Sequence, residues 1–197
     1  GLHPDLRVDW MADGELRNLG LHQRRLQLTQ LAHFGFTARI DLKTQLAHRS
    51  LPAVGLFKLR VTYGREIESI EVDPYQRHRV QRVELVEAES LDYRYKYADR
   101  KLIDALRHEV APGAQPLIVQ RGLLTDATYA NICVFDGERW LTPARPLLEG
   151  TARAAALAAG QVHVSAISIT DFRAGKYRKL KLINCMTLFD EAEEIPL

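Results

Sequence analysis

Between Phe57 and Tyr63 the chain alternates without a break: Phe57, Leu59, Val61 and Tyr63 hold every second place, Lys58, Arg60 and Thr62 fall between them, and Gly64 follows. Successive side chains of a strand point to opposite faces, so this stretch reads as a strand with one face buried, which needs a layer to cover it. Helical periodicity is found upstream. Leu21, Leu28, Leu31 and Ala32 recur at helical spacing and predict a helix over 19–34, with these residues as its apolar stripe and Gly35 as its end. Ile67, Ile70, Val72, Val83 and Leu85 suggest further strands. The second half repeats the mixture: Leu102, Ile103, Leu106 and Val110 form a helical stripe that Ala111-Pro112-Gly113 stops. Leu117–Val119 and Asn131–Phe135 read as strands, with Asp136-Gly137 as a turn ahead of Trp140-Leu141. An alanine-rich helix is expected from Gly150-Thr151 to Gly160, and Val162–Ile167 and Leu180–Ile183 close the count. Strands and helices in both halves imply an α/β or α+β protein of two small subdomains meeting at a cleft. The boundaries are set at 1–87 and 96–197, with 88–95 as an acidic, polar connection.

Composition narrows the classes. A formal charge of +2 over 197 residues gives no basis for a polyanion partner, and the basic clusters Arg77, Arg79, Arg82 and Lys176, Arg178, Lys179, Lys181 lack interleaved aromatics apart from Tyr177. Neither nucleic acid nor a membrane is expected as a partner, since no apolar run approaches the roughly 20 residues that span a bilayer. Cys133 and Cys185 are far apart and form no Cys-x-x-Cys, which fits a reduced, cytoplasmic setting and no metal site.

Four segments carry polar chemistry inside apolar frames. His22-Gln-Arg-Arg25 places His22 and Arg25 on one helix face; Arg25 offers a planar fork for phosphate or carboxylate, or belongs to a solvated basic face. Arg94-Tyr-Lys96-Tyr-Ala-Asp99-Arg100 sets a lysine between aromatics, where desolvation favours a nucleophilic amine; the alternative is an ordinary surface lysine. From Gly122 to Ile132, a polar stretch with Asp126, Tyr129 and Asn131 interrupts two strand candidates, as turn chemistry or as a site. Finally, Gly150-Thr151 opens a helix whose N-terminus suits a phosphate, if it is not simply capped by Thr151.

In order and spacing these segments resemble the class IV aminotransferase family. The match rests on His22-Gln-Arg-Arg25-Leu26, Lys96-Tyr-Ala-Asp-Arg100, Asp126 with Asn131 five later, Thr142-Pro143 and Gly150-Thr-Ala-Arg153. The resemblance implies the D-amino-acid aminotransferase-like fold with pyridoxal 5′-phosphate (PLP) at the subdomain interface. It implies Lys96 as the catalytic residue, holding PLP as a Schiff base and later carrying a proton. Arg25, Thr151 and Ala152 would bind the phosphate, with Gly150 at the helix start. Asp126 would pair with the pyridine nitrogen, and Tyr129, Asn131 and Cys185 would join the cofactor contacts. Asp126 stands where the family usually has glutamate, and Pro4-Asp5 stands where its first strand commonly has Glu-Thr. A homodimer is implied as well.

Within that family the reaction expected for so short a chain is that of 4-amino-4-deoxychorismate lyase, which releases pyruvate, leaves 4-aminobenzoate and needs no second amino substrate. A D-amino-acid or branched-chain transaminase is the alternative. A non-catalytic binding module on the same fold is the alternative of another class, and the presence of Arg25, Lys96, Asp126 and Gly150-Thr151 together argues against it.

Overall fold

Strands β1 (Leu6–Ala12), β2 (Phe57–Tyr63) and β3 (Ile67–Pro74) form an antiparallel sheet in the order β1-β2-β3. The alternation in β2 does what its pattern requires: Leu59, Val61 and Tyr63 are buried, and the residues between them are not. The computed structural model describes residues 6–12, 15–37 and 39–197; Pro4-Asp5 lie outside them. Its contacts divide the chain into two units. One holds the residues up to Arg77 together with Tyr95–Asp99, and the other His78–Arg94 with Arg100–Leu197. The chain therefore changes unit at places other than 87 and 95. The reason lies in β4 (Arg82–Glu87), which pairs in parallel with β5 (Ala114–Gln120) and so joins the second sheet.

In the first unit, α1 (Leu19–Phe34) has the expected ends, and Gly35 adopts a left-handed φ of 74° with its N–H on Leu31 O. The buried face is not the expected one. Leu28 and Leu31 are 56% and 51% exposed and Ala32 is exposed, whereas His22, Leu26, Thr29 and Gln30 are buried. Two polar members of this stripe, Thr29 and Gln30, are tied to backbone carbonyls. Gln30 Nε2 donates to Gly64 O and Arg65 O, holding the helix to the β2–β3 turn. Gln23 bonds Ile40 O and the Leu42 N–H ahead of α2 (Leu42–Leu46). Leu26 joins Ile40, Leu42, Leu46, Leu59, Val61 and Tyr63 in the core, with Tyr95 and Tyr97 packed against it.

The second unit runs through α3 (Lys101–Ala105), where Ile103 is buried and Leu102 is exposed, and a 3-10 turn over Leu106–Glu109. The polar stretch after Gly122 contains a strand that the pattern hid. β6 (Leu123–Ala127) returns along β5 through a two-residue turn at Arg121-Gly122, both at positive φ, and then pairs with β7 (Asn131–Phe135). β8 (Trp140–Pro143) follows the Asp136-Gly137 turn as expected. Next come α4 (Thr151–Ala158), β9 (His163–Ser165), α5 (Ile169–Arg173), β10 (Lys179–Ile183) and β11 (Ile195–Pro196). The main sheet has the order β11-β10-β7-β6-β5-β4, with β8 on β7 and β9 parallel to β8. Leu117, Leu124, Ile132, Val134, Ile167 and Leu180 build its core on one side, and Ala152, Ala156, Cys133 and Ile183 build a second cluster under α4.

Candidate active site

In the first unit, Arg25 leaves α1 three residues after the buried His22. Its Nη2 is buried and has no hydrogen-bond partner among the described residues. A desolvated guanidinium N–H without an acceptor is costly, and an anion placed against it removes that cost. Around it, Thr29 Oγ1 donates to Arg25 O at 2.8 Å, and the buried Tyr63 hydroxyl at the end of β2 bonds the Thr29 side chain. Burial pushes the Tyr63 pKa up, against the Thr29 bond and the neighbouring Arg25 charge, both of which pull it down. Sequence reasoning missed Thr29 and Tyr63. A helical i to i+4 spacing from Arg25 and the inward phase of β2 were the signals available.

Lys96 is half-buried at the apex of a three-residue turn, with the Tyr97 N–H donating to Tyr95 O at 2.9 Å. The flanking rings lie 6.1 Å apart, and both meet His33 edge-on, at 4.5 Å for Tyr95 and 6.2 Å for Tyr97. The tyrosines thus fix the turn to the core of their own unit. They serve Lys96 by anchoring its backbone.

The second unit gathers a polar cluster around Asp126, on β6 opposite Asn131 in register. Asp126 Oδ1 accepts from Asn131 Nδ2 at 2.7 Å and Oδ2 from the Leu148 N–H at 2.9 Å. Burial pushes its pKa up to about 7, opposed by the Leu148 and Leu147 N–H groups, the Asn131 amide and the Arg153 charge. A carboxylate has about four acceptor positions, so capacity remains for a donor such as a protonated ring nitrogen. The Asn131 amide also donates to Leu148 O at 2.8 Å. Gly150 is the N-cap of α4, whose start carries no side-chain cap; Thr151 and Ala152 form its first turn and are buried. The first N–H groups of a helix have no acceptor inside it and face the positive end of the dipole, so this turn suits a phosphate.

Arg153, three residues on, is buried; its Nη2 donates to Pro143 O at 3.0 Å and its Nε has no partner among the described residues. Thr142 Oγ1 donates to Ile132 O, so Thr142-Pro143 braces β8 against β7. Tyr129 packs its ring on His78 at 5.1 Å, and its carbonyl accepts from Asn184 Nδ2 at 3.2 Å. Cys185 is buried beside that contact, in the turn closed by reciprocal Asn184 and Thr187 backbone bonds. Tyr129, Asn184 and Cys185 therefore group at the end of β10, while Asp126, Asn131, Gly150 and Thr151 group at the start of α4. The Leu148 N–H escaped sequence reasoning because a backbone donor leaves no mark in residue identity. In the second unit, an uncapped helix start and a buried acid with acceptor capacity suit the two ends of a phosphorylated pyridine, and in the first unit Arg25 carries an open, buried donor.

The chain matches the family model for amino-transferase class IV over residues 6–188. It is 28% identical over 193 residues to a protein of Haemophilus influenzae, covering 94% of this chain and 98% of the other. A crystal structure from Haemophilus somnus, described as a candidate 4-amino-4-deoxychorismate lyase, superposes with a TM-score of 0.87 at 26% identity, over 94% of this chain and 98% of that one. A PLP-bound hypothetical aminotransferase from Mycobacterium tuberculosis shares the fold, with a TM-score of 0.73 at 19% identity over 98% of this chain and 80% of the other. With the family model matched across nearly all of the sequence, the chain belongs to the class IV aminotransferases, a family that depends on pyridoxal 5′-phosphate.

Proposed function

We propose that this chain binds PLP and carries out the 4-amino-4-deoxychorismate lyase reaction, releasing pyruvate and leaving 4-aminobenzoate. The observation that carries the cofactor reading is the Asp126 cluster: a buried acid held by Asn131 and the Leu148 N–H, two residues before the uncapped N-terminus of α4. An acid for a ring nitrogen and a helix start for a phosphate are what PLP needs from one side. When bound, PLP supplies the electron sink for charge that develops at the substrate Cα.

In this reading Lys96 holds the cofactor through its amine and moves the proton at the substrate Cα. Arg25 binds the phosphate with its open Nη2, together with the Thr151 and Ala152 N–H groups. Asp126 keeps the pyridine nitrogen protonated, and Tyr129 and Cys185 lie at the edge of the cofactor contacts. The lyase is preferred over a transaminase because the Haemophilus somnus structure, described as a candidate for such a lyase, matches at 26% identity with a TM-score of 0.87 over 98% of its length. A homodimer in the cytoplasm completes the proposal.

The test supplies the purified protein with 4-amino-4-deoxychorismate alone, and separately with panels of L- and D-amino acids plus a keto acid. Pyruvate released without an acceptor is the expected result. Amine transfer without pyruvate release assigns a D-amino-acid or branched-chain transaminase instead.

A further inference from the structure

Gly150 is not required by its backbone. Its φ of −72° and ψ of 150° are open to any residue. What excludes a larger residue is a side chain: a Cβ on Gly150 would run into Asn131 Oδ1. That oxygen is not free to swing away, because Asn131 is buried and its Nδ2 is committed to Asp126 Oδ1 at 2.7 Å and Leu148 O at 2.8 Å. One amide therefore touches three places: the acid on β6, the backbone of residue 148 and the cap of α4. Leu148 closes the loop by donating its N–H to Asp126 Oδ2.

We infer that Asn131 is a positioning residue that locks the Asp126 carboxylate to the first turn of α4, and that position 150 is glycine because Asn131 fills the space of its side chain. This rests on the reading of Asp126 and the α4 start as cofactor contacts. The lock sets the span between the group that meets the ring nitrogen and the groups that meet the phosphate, and PLP has a fixed length between those two ends. Asn131 acts on the cofactor through Asp126 and α4. Its Nδ2 is already committed to Asp126 and to Leu148 O.

The experiment is a double-mutant cycle on Gly150→Ala and Asn131→Ser, read as PLP affinity by absorbance titration and as melting temperature of the cofactor-free protein. Serine is shorter and removes the oxygen that the new Cβ would meet. Gly150→Ala alone should weaken PLP binding by roughly tenfold or more, as expected for a displaced buried network. In the Asn131→Ser background the same change should cost no more than about twofold, and the melting temperature should recover in parallel. Additive losses, or a double variant worse than both singles, overturn the lock, as does a pair in which neither Gly150→Ala nor the double variant folds. If the parent protein binds no PLP, the cofactor reading falls by itself, and the melting-temperature cycle still decides whether Asn131 and Gly150 are coupled.

Discussion

Replacing Asp126 by Asn should change how the stability of the cofactor-free protein depends on pH. Asp126 is buried, and burial raises its pKa from the ordinary 3.8 to about 7 despite hydrogen bonds from the Leu148 and Leu147 N–H groups and the Asn131 amide, and despite the Arg153 charge. The folded state therefore binds a proton between about pH 4 and 7 that the unfolded state has released. Stability from this group is fully present below the unfolded pKa and falls as pH rises through the window, levelling off above about 7. A shift of about three units at about 1.4 kcal/mol each sets the loss at up to about 4 kcal/mol. Urea unfolding followed by tryptophan fluorescence, at pH 4.5, 5.5, 6.5 and 7.5, gives the stability of both proteins. Asn at position 126 does not titrate, so the parent should lose about 3 kcal/mol relative to the variant across this range, the remainder of the loss lying below pH 4.5. Both acid oxygens already receive donors, so the variant also carries a pH-independent penalty of about 1–3 kcal/mol from an amide N–H facing another donor. A stability difference constant to within about 0.5 kcal/mol from pH 4.5 to 7.5 would refute the buried, proton-binding acid.

Arg25→Ala should weaken PLP binding by about 10- to 100-fold, the worth of a charge-assisted phosphate contact. It should hardly move the melting point of the cofactor-free protein, since Nη2 makes no hydrogen bond to the described residues; unchanged affinity in an absorbance titration removes Arg25 from the phosphate site. Leu26→Ala should cost about 2–5 kcal/mol and Leu31→Ala within about 0.5, because α1 buries the first and exposes the second. Equal losses in urea unfolding would put the helix face the other way round. Cys133 is buried and its thiol is pushed up to about 12 by burial, so in native protein at pH 8 it should resist maleimide, as mass spectrometry can show; rapid labelling contradicts that burial.

Much of the fold was legible where local chemistry decides it. The ends of α1 and α4, the phase of β2 and the turn at Asp136-Gly137 follow from glycine positions and alternation, which act over a few residues. What the sequence hid depends on distant partners. Leucines occur around most of α1, so periodicity could not show that the stripe of His22, Leu26, Thr29 and Gln30 turns inward, held by carbonyls at 64 and 65. Thr125 and Asp126 disguised β6 as loop, although Thr125 Oγ1 donates to Ile118 O within the sheet. The parallel pairing of β4 with β5 joins residues about thirty apart and moved the unit boundary. At the site, the motif residues were visible as residue types, but the grouping of Asp126, Asn131 and Gly150 through Leu148 needed the backbone.

The central claim is that Lys96 carries the cofactor. Protein incubated with PLP, reduced with borohydride and digested should yield one pyridoxyl-modified peptide, with the adduct on Lys96 and loss of the visible absorbance of the bound cofactor. An adduct on another lysine, or none, contradicts the account.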